Sequence, residues 1–301
     1  MGEIIVKRLY LLAAVFLFAF APELSAQATN AAGSGVFGWK IKSPTTTAYL
    51  VGSIHLAKPD LYPLDARLEN AFGGSSALVV EVDVDRQTEA LAQQMMVKAA
   101  YPAGDRIDKH VSAEILKAAD EELAKSGFGL AMFGQFKPWF VAQTVLLMEL
   151  QRLGFSPTNG IDVYFLQKAR GQKKILELET ADSQIDMLNS FTDKEQEIFL
   201  LYTLKDLANT EKNINQILAA WKQGDAGGME KILTESVKDM PELQSVYGKL
   251  IDNRNETMAR TINGYLKTAD TYFVVVGSAH LVGEKGLLNL LKKSGYSVEP
   301  L

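Results

Sequence analysis

Val51-Gly52-Ser53-Ile54-His55-Leu56 recurs as Val276-Gly277-Ser278-Ala279-His280-Leu281, with five identities in six positions. Each copy closes an apolar run, Ala48-Tyr49-Leu50 before the first and Tyr272-Phe273-Val274-Val275 before the second. A loop and then a helical pattern follow each copy. Read as strands, the two runs set His55 and His280 just past a strand's carboxyl end, the rim at which open α/β sheets bind ligands. The glycine allows close backbone approach where the strand leaves the sheet. The expected fold is therefore α/β, a parallel or mixed sheet built on a duplicated strand–G-x-x-H–helix core. Two such halves meeting across a pseudo-twofold axis would bring the histidines together.

Working outward, 36–41 and 47–51 read as a hairpin around Ser43-Pro44, 63–72 as a helix, and 77–82 as a buried strand. Asp83 or Asp85 can cap the next helix, which runs to about residue 100. Helical spacing then dominates 112–126, 138–153, 160–170, 183–191, 193–223, 228–237 and 241–266, interrupted by one strand at 174–178. The chain ends with a strand at 272–276, a helix at 286–293 and a strand at 296–298. The expected organisation is a signal peptide over 1–28 and a single domain over 29–301. Within that domain, 29–85 and 270–301 form the core halves. The stretch 86–269 is a large helical insertion with one strand near 174–179.

Composition narrows the chemistry. The chain has 301 residues, 31 Lys+Arg against 36 Asp+Glu, a net charge of -5, 3 His and no Cys. Thiolate nucleophiles, disulfides, iron–sulfur clusters and thiolate zinc sites are excluded. Mild acidity without long basic runs argues against nucleic acid as a partner. Lys7 and Arg8, then an apolar run from Leu9 to Ala21 and small residues, are the order of a secretory signal peptide. That run is shorter than the ~20 residues of a comfortable bilayer span, and no second long apolar segment follows. The mature chain is expected to be exported, periplasmic or secreted, without a membrane span.

Two imidazoles make an incomplete metal site, and a carboxylate would complete the two-His, one-carboxylate set of open-position metals. Glu81 is the leading candidate, because it interrupts the core run Leu78-Val79-Val80-Glu81-Val82 near its carboxyl end. Burying an acid there is costly unless it is paired or ligates a metal. Asp83 and Asp85 read as caps. Glu179, closing Ile175-Leu176-Glu177-Leu178-Glu179, can support a ligand, act as a general base or simply face solvent. Arg254 falls on the apolar stripe of the 241–266 helix, where a guanidinium needs a carboxylate, an anionic substrate group or a route to solvent. Asn255 beside it can orient a substrate carbonyl or a water. His110 has no repeat partner and reads as surface. Ser53 and Ser278 form no G-x-S-x-G elbow and do not read as nucleophiles.

Taken together these motifs resemble the TraB/GumN family, related to the Tiki-type proteases, over most of the chain from about Gly38 to Val298. The paired Gly52-Ser53-Ile54-His55 and Gly277-Ser278-Ala279-His280 carry the resemblance, with Glu81 between them. Lys137-Pro138-Trp139, Gly160-Ile161-Asp162, Leu178-Glu179-Thr180 with Gln184, and Arg254-Asn255 support it. The resemblance, which extends to erythromycin-esterase-like and ChaN-like proteins, implies a duplicated α/β core and a site built from both G-x-x-H histidines and the glutamate. For the Tiki branch it implies a metal-dependent peptidase, with manganese or cobalt ahead of zinc. Carried over, His55, Glu81 and His280 are metal-site residues; Arg254 and Asn255 are further site residues, with Asp162 and Glu179 secondary. The expected function is a metal-dependent hydrolase acting on a peptide or small-molecule substrate. The alternatives are a non-catalytic binder that sequesters such a ligand and a metal-independent ester hydrolase. Haem binding of the ChaN kind has no signal beyond the same histidines.

Overall fold

The computed structural model describes residues 35–86, 89–238 and 241–301, and the signal peptide expected over 1–28 lies outside the described residues. Six strands form one mixed sheet: β1 (Gly38–Lys42), β2 (Thr47–Ser53), β3 (Ala77–Val80), β4 (Lys174–Glu177), β5 (Tyr272–Gly277) and β6 (Ser297–Pro300). Every residue of β3 and β5 is buried. Because neighbouring strand residues point to opposite faces, burial at every position means that both faces of the sheet are covered. The strand order is β4-β3-β5-β2-β1-β6. The first four are mutually parallel, whereas β1 runs antiparallel to both β2 and β6.

The covering helices are α1 (Ala66–Gly73), α2 (Glu89–Ala99), α3 (Ala113–Lys125), α4 (Pro138–Arg152), α5 (Ile161–Ala169) and α6 (Ala181–Asn189). They continue with α7 (Asp193–Asp206), α8 (Thr210–Gln223), α9 (Ala226–Lys238), α10 (Gln244–Tyr247), α11 (Asn253–Tyr265) and α12 (Leu287–Lys293). Capping boxes at Thr180 and Thr192 start α6 and α7. The 193–223 stretch breaks at a 3₁₀ turn over Leu207–Asn209. A π-turn, Gly248–Asp252, joins α10 to α11. Lys137 and Trp139 lie at the start of α4 and both donate to Asn189 Oδ1 at the end of α6, so that motif fastens two helices together. None of the described helices is long and apolar enough to cross a membrane.

The two repeat copies are neighbours in the sheet. β2 and β5 pair in parallel with Ser53 opposite Gly277, so equivalent residues of the two copies are offset by one position and face opposite sides of the sheet. Each copy's glycine and serine then serve the seam between them. A Cβ on Gly52 would lie 2.5 Å from the Phe37 ring and 2.7 Å from Ser278 Oγ. Trp221 Nε1 donates to Gly52 O at 2.7 Å, and Ser278 Oγ donates to Ser53 O at 2.9 Å. Asp83 is not a helix cap: its buried carboxylate pairs with Arg170, and its amide donates to Glu177.

His110 is not simply on the surface. It stacks on Tyr101 at 4.3 Å, with Nε2 2.9 Å from Asp105 and Nδ1 3.0 Å from Asp193 at the start of α7. Partial burial disfavours its charged form, but the two carboxylates outweigh burial and raise its pKa.

Two predictions follow from these contacts. Gly52→Ala should destabilise the fold by about 1–3 kcal/mol in urea unfolding. Gly73→Ala, whose Cβ meets nothing within 4 Å, is the near-neutral control. A raised folded-state pKa stabilises fully below the unfolded value and is lost as pH climbs through the folded one. The urea midpoint should therefore fall as pH rises from about 6.5 through the raised folded-state value of His110, and fall less steeply in His110→Gln.

Candidate functional site

The four adjacent parallel strands β4, β3, β5 and β2 are followed at their carboxyl ends by Glu179, Glu81, His280 and His55, in that spatial order. One edge of the sheet thus lines up two acids and two imidazoles, all drawn from different parts of the chain. Glu81 sits at the centre. Its Oε1 accepts from the Gly277 amide at 2.6 Å and lies 3.6 Å from His55 Nε2. Its Oε2 accepts from Arg254 Nη2 at 2.6 Å and lies 3.9 Å from His280 Nε2.

Each imidazole is fixed from behind. Gly160 lets the chain before α5 pack onto the His55 carbonyl, where a Cβ would approach to 2.5 Å. That contact delivers Asp162, in the first turn of α5, to within 3.1 Å of His55 Nδ1. Ser53 Oγ donates to the same Asp162 oxygen at 2.6 Å, so serine and histidine share one acceptor and form no relay. Behind His280 stands Asn255, whose Nδ2 donates to Lys285 O at 2.9 Å. Its Oδ1 can only accept, so His280 carries its proton on Nδ1, 2.6 Å away, and presents a bare Nε2 toward Glu81. That Nε2 is buried without a hydrogen-bond partner. Asn255 itself is fully buried on the inner face of α11 and orients an imidazole, not a substrate carbonyl or water.

The repeat histidines are electrostatically unlike. Burial disfavours a charged His55, yet the Asp162 carboxylate, and after it Glu81, push its pKa up to about 10. Burial and then the Arg254 guanidinium push His280 down to about 3, against the pull of Glu81. Burial also opposes ionisation of Glu81, but His280, Arg254 and His55 around it hold its carboxyl well below the usual range.

Arg254 has found carboxylates, as its place on the apolar stripe demands. Its Nε lies 3.0 and 3.1 Å from the two oxygens of Glu179, and Nη2 lies 2.7 Å from Glu179 Oε2. Nη1 donates to Leu250 O at 2.9 Å inside the π-turn. Gln184 completes the Glu179 shell at 3.1 Å. Glu179 is thus an anchor for Arg254 and has no oxygen turned freely to solvent. Arg254 and Asn255, consecutive in the first turn of α11, are both buried, one serving Glu81 and the other His280. Sequence periodicity flagged Arg254 but assigned no role to Gln184 or to the Gly277 amide.

Two spaces adjoin these groups. A cavity of ≈ 20 Å³, bordered by His55, Glu81, Asp162 and Gln184, has room for about one water-sized sphere. A cleft of ≈ 530 Å³ opens between α6 and α11, bordered by Leu178, Met187, Asn253 and Thr257, with Glu179 and Arg254 in its wall.

Among the described residues no group of three or more His, Asp or Glu side chains is placed so that it could hold a metal ion. Two imidazoles and a carboxylate are nonetheless the donor types of an open-position divalent site. Two ligands at about 2.0–2.2 Å from an ion lie about 3–3.5 Å apart, close to the 3.6 and 3.9 Å separations about Glu81. His280, held through Nδ1 by Asn255 with Nε2 turned to Glu81, is in the neutral tautomer that ligates, whereas His55 would have to release its Nε2 proton first.

The model of the TraB/PrgY/gumN family matches residues 37–300. The uncharacterised protein YbaP of Escherichia coli (strain K12) is 28% identical over 245 residues, covering 81% of this chain and 87% of YbaP. YbaP of Shigella flexneri is likewise 28% identical over 246 residues, 81% of this chain and 88% of that protein. A metalloprotease TIKI homolog from Amphimedon queenslandica is 30% identical over 76 residues, only 24% of this chain and 15% of that protein. No solved structure gives a significant match. With a match that spans both histidine motifs, the glutamate and the helices that hold them, the chain belongs to the TraB/PrgY/gumN family.

Proposed function

We propose that this chain is a metal-dependent hydrolase, peptidase-like in its chemistry, in which His55, His280 and Glu81 hold one divalent ion, manganese, cobalt or zinc. The observation that carries the proposal is the convergence of two back-anchored imidazoles on one carboxylate, with the His280 Nε2 lone pair buried and unpartnered. The metalloprotease name of the TIKI homolog supports the same reaction class.

When bound, the ion supplies Lewis acidity, polarising the scissile carbonyl and lowering the pKa of a bound water. The chain's own residues do the rest. Asp162 and Asn255 fix the ring orientations, and the Gly277 amide fixes Glu81. His55 gives up its Nε2 proton on becoming a ligand. Arg254, steadied by Glu179, offers a guanidinium to the developing oxyanion or to an anionic substrate group. The cleft beside it is lined by apolar Leu178 and Met187, polar Asn253 and Thr257 and charged Lys249, a mixture that suits a peptide segment. The site acts on substrates outside the cytoplasm, in keeping with the signal-peptide pattern.

The split pKa values oppose metal-free base catalysis by either histidine. A general base works best with a pKa near the operating pH. His280, near 3, binds a proton too weakly, and His55, near 10, holds its proton too firmly.

Elemental analysis of the purified chain should find a divalent metal, and peptide-library cleavage should be lost with chelator and in His55→Ala. Chelator-insensitive turnover, equal in the variant, would overturn the metal reading; recovery of intact ligand in a stoichiometric complex would favour sequestration. Asp162→Asn should weaken metal binding about 10–100-fold while leaving the circular-dichroism spectrum unchanged.

A further inference from the structure

Arg254 stands where an incoming ion must bind. Each Glu81 oxygen already accepts a bond: Oε1 from the Gly277 amide, and Oε2 from Arg254 Nη2, with Gln184 Nε2 at 3.5 Å. The amide is part of β5 and holds the carboxylate in place. The guanidinium, however, sits on the oxygen that lies beside the unpartnered His280 Nε2. That oxygen keeps a second lone pair, but a cation bridging His280 and Glu81 there meets the like charge of the guanidinium, which favours Arg254 moving off it.

Arg254 is built to yield it. Three of its contacts to carboxylate oxygens go to Glu179, at 3.0, 3.1 and 2.7 Å, and another bond holds Nη1 to Leu250 O. A single one, at 2.6 Å, reaches Glu81. Breaking that one bond leaves the guanidinium anchored by the others, still paired with a carboxylate and still buried. The same break removes a positive charge from direct contact with the proposed ligand. A site with no such cation would leave Glu81 and Glu179 side by side in a dry rim, a costly arrangement of like charges.

Resting on the metal-site reading above, we propose that Arg254 is an internal counter-ion that guards the metal site: it occupies Glu81 Oε2 in the metal-free protein and is handed to Glu179 when a divalent cation enters. Arg254 thereby sets metal affinity as a competitor, and Glu179 is the acceptor that makes the exchange possible. Arginine suits this post because its planar fork can serve two carboxylates at once and lose one without leaving the other.

The test is calorimetric titration of the full chain, stripped of metal, with Mn²⁺, Co²⁺ and Zn²⁺ alone. Arg254→Met should bind more tightly than wild type by about ten- to a hundredfold, the worth of a charged hydrogen bond no longer in competition. Arg254→Lys retains the charge but cannot span both carboxylates, so it too should bind at least about threefold more tightly. It also covers the case in which the Met variant, with two acids left unpaired, fails to fold. Glu179→Gln, which removes the alternative acceptor, should bind more weakly than wild type. Wild-type binding with no gain in either Arg254 variant would overturn the guarding role and leave the metal site standing. A gain in Arg254→Met with none in Arg254→Lys would reduce the effect to net charge and overturn the contact exchange. No binding of any of the three ions to wild type or variants would overturn the metal site itself, and this role with it.

Discussion

An ionised carboxylate at the buried end of a central strand is stable only if its oxygens find donors, because removing it from water costs several kcal/mol. Glu81 is that group, and the arrangement of the rim follows from its needs. The Gly277 amide meets one oxygen as β5 leaves the sheet, and Arg254 meets the other from α11. Arg254 is then itself a buried charge and requires a second acid, which β4 provides as Glu179. Three strands and one helix are thus held in a fixed relation by one chain of charge-assisted bonds. Buried polar networks of this kind fix geometry more than they add stability, since every member must be satisfied at once.

The duplicated motif shows how neighbouring strands make chemically different sites from nearly identical hexapeptides. His55 and His280 follow the same Gly-Ser pair, yet the side chain behind each differs: an aspartate for one, an asparagine for the other. The carboxylate favours a charged ring, and the amide leaves the ring neutral beside a guanidinium. Asp162 at His55, and burial with Arg254 at His280, therefore decide the character of the histidines more than the repeat does. Neither residue belongs to the repeat, and each comes from a helix in the long middle of the chain.

That division explains what could be read from the sequence. The strands were legible because fully buried strands are continuous apolar runs, and the two histidines were legible because a repeat gave them one address. Glu81 and Arg254 were legible as polar residues in apolar places. The partners of these groups were not, since Asp162 lies 107 residues from His55 and Gln184 lies 103 from Glu81. Periodicity describes one element at a time and carries no information on which ends meet. His110 was misread for that reason: Asp193, 83 residues away, converts a local loop histidine into a bridge. That the two copies would be parallel neighbours was not legible either, since the motif alone says nothing of sheet order.

The π-turn before α11 is the remaining piece that no pattern announced. Arg254 and Asn255 follow it in the first turn of α11, about 100° apart around the helix, and both are fully or almost fully buried, one against Glu81 and the other against His280. The carbonyl of Leu250, inside the π-turn at Gly248–Asp252, is taken up by Arg254 Nη1. The same guanidinium that neutralises Glu81 therefore also steadies the backbone irregularity just before it. Loss of Arg254 would remove both supports together. The helix start and the ionic rim are in this sense a single structure, joined through one guanidinium.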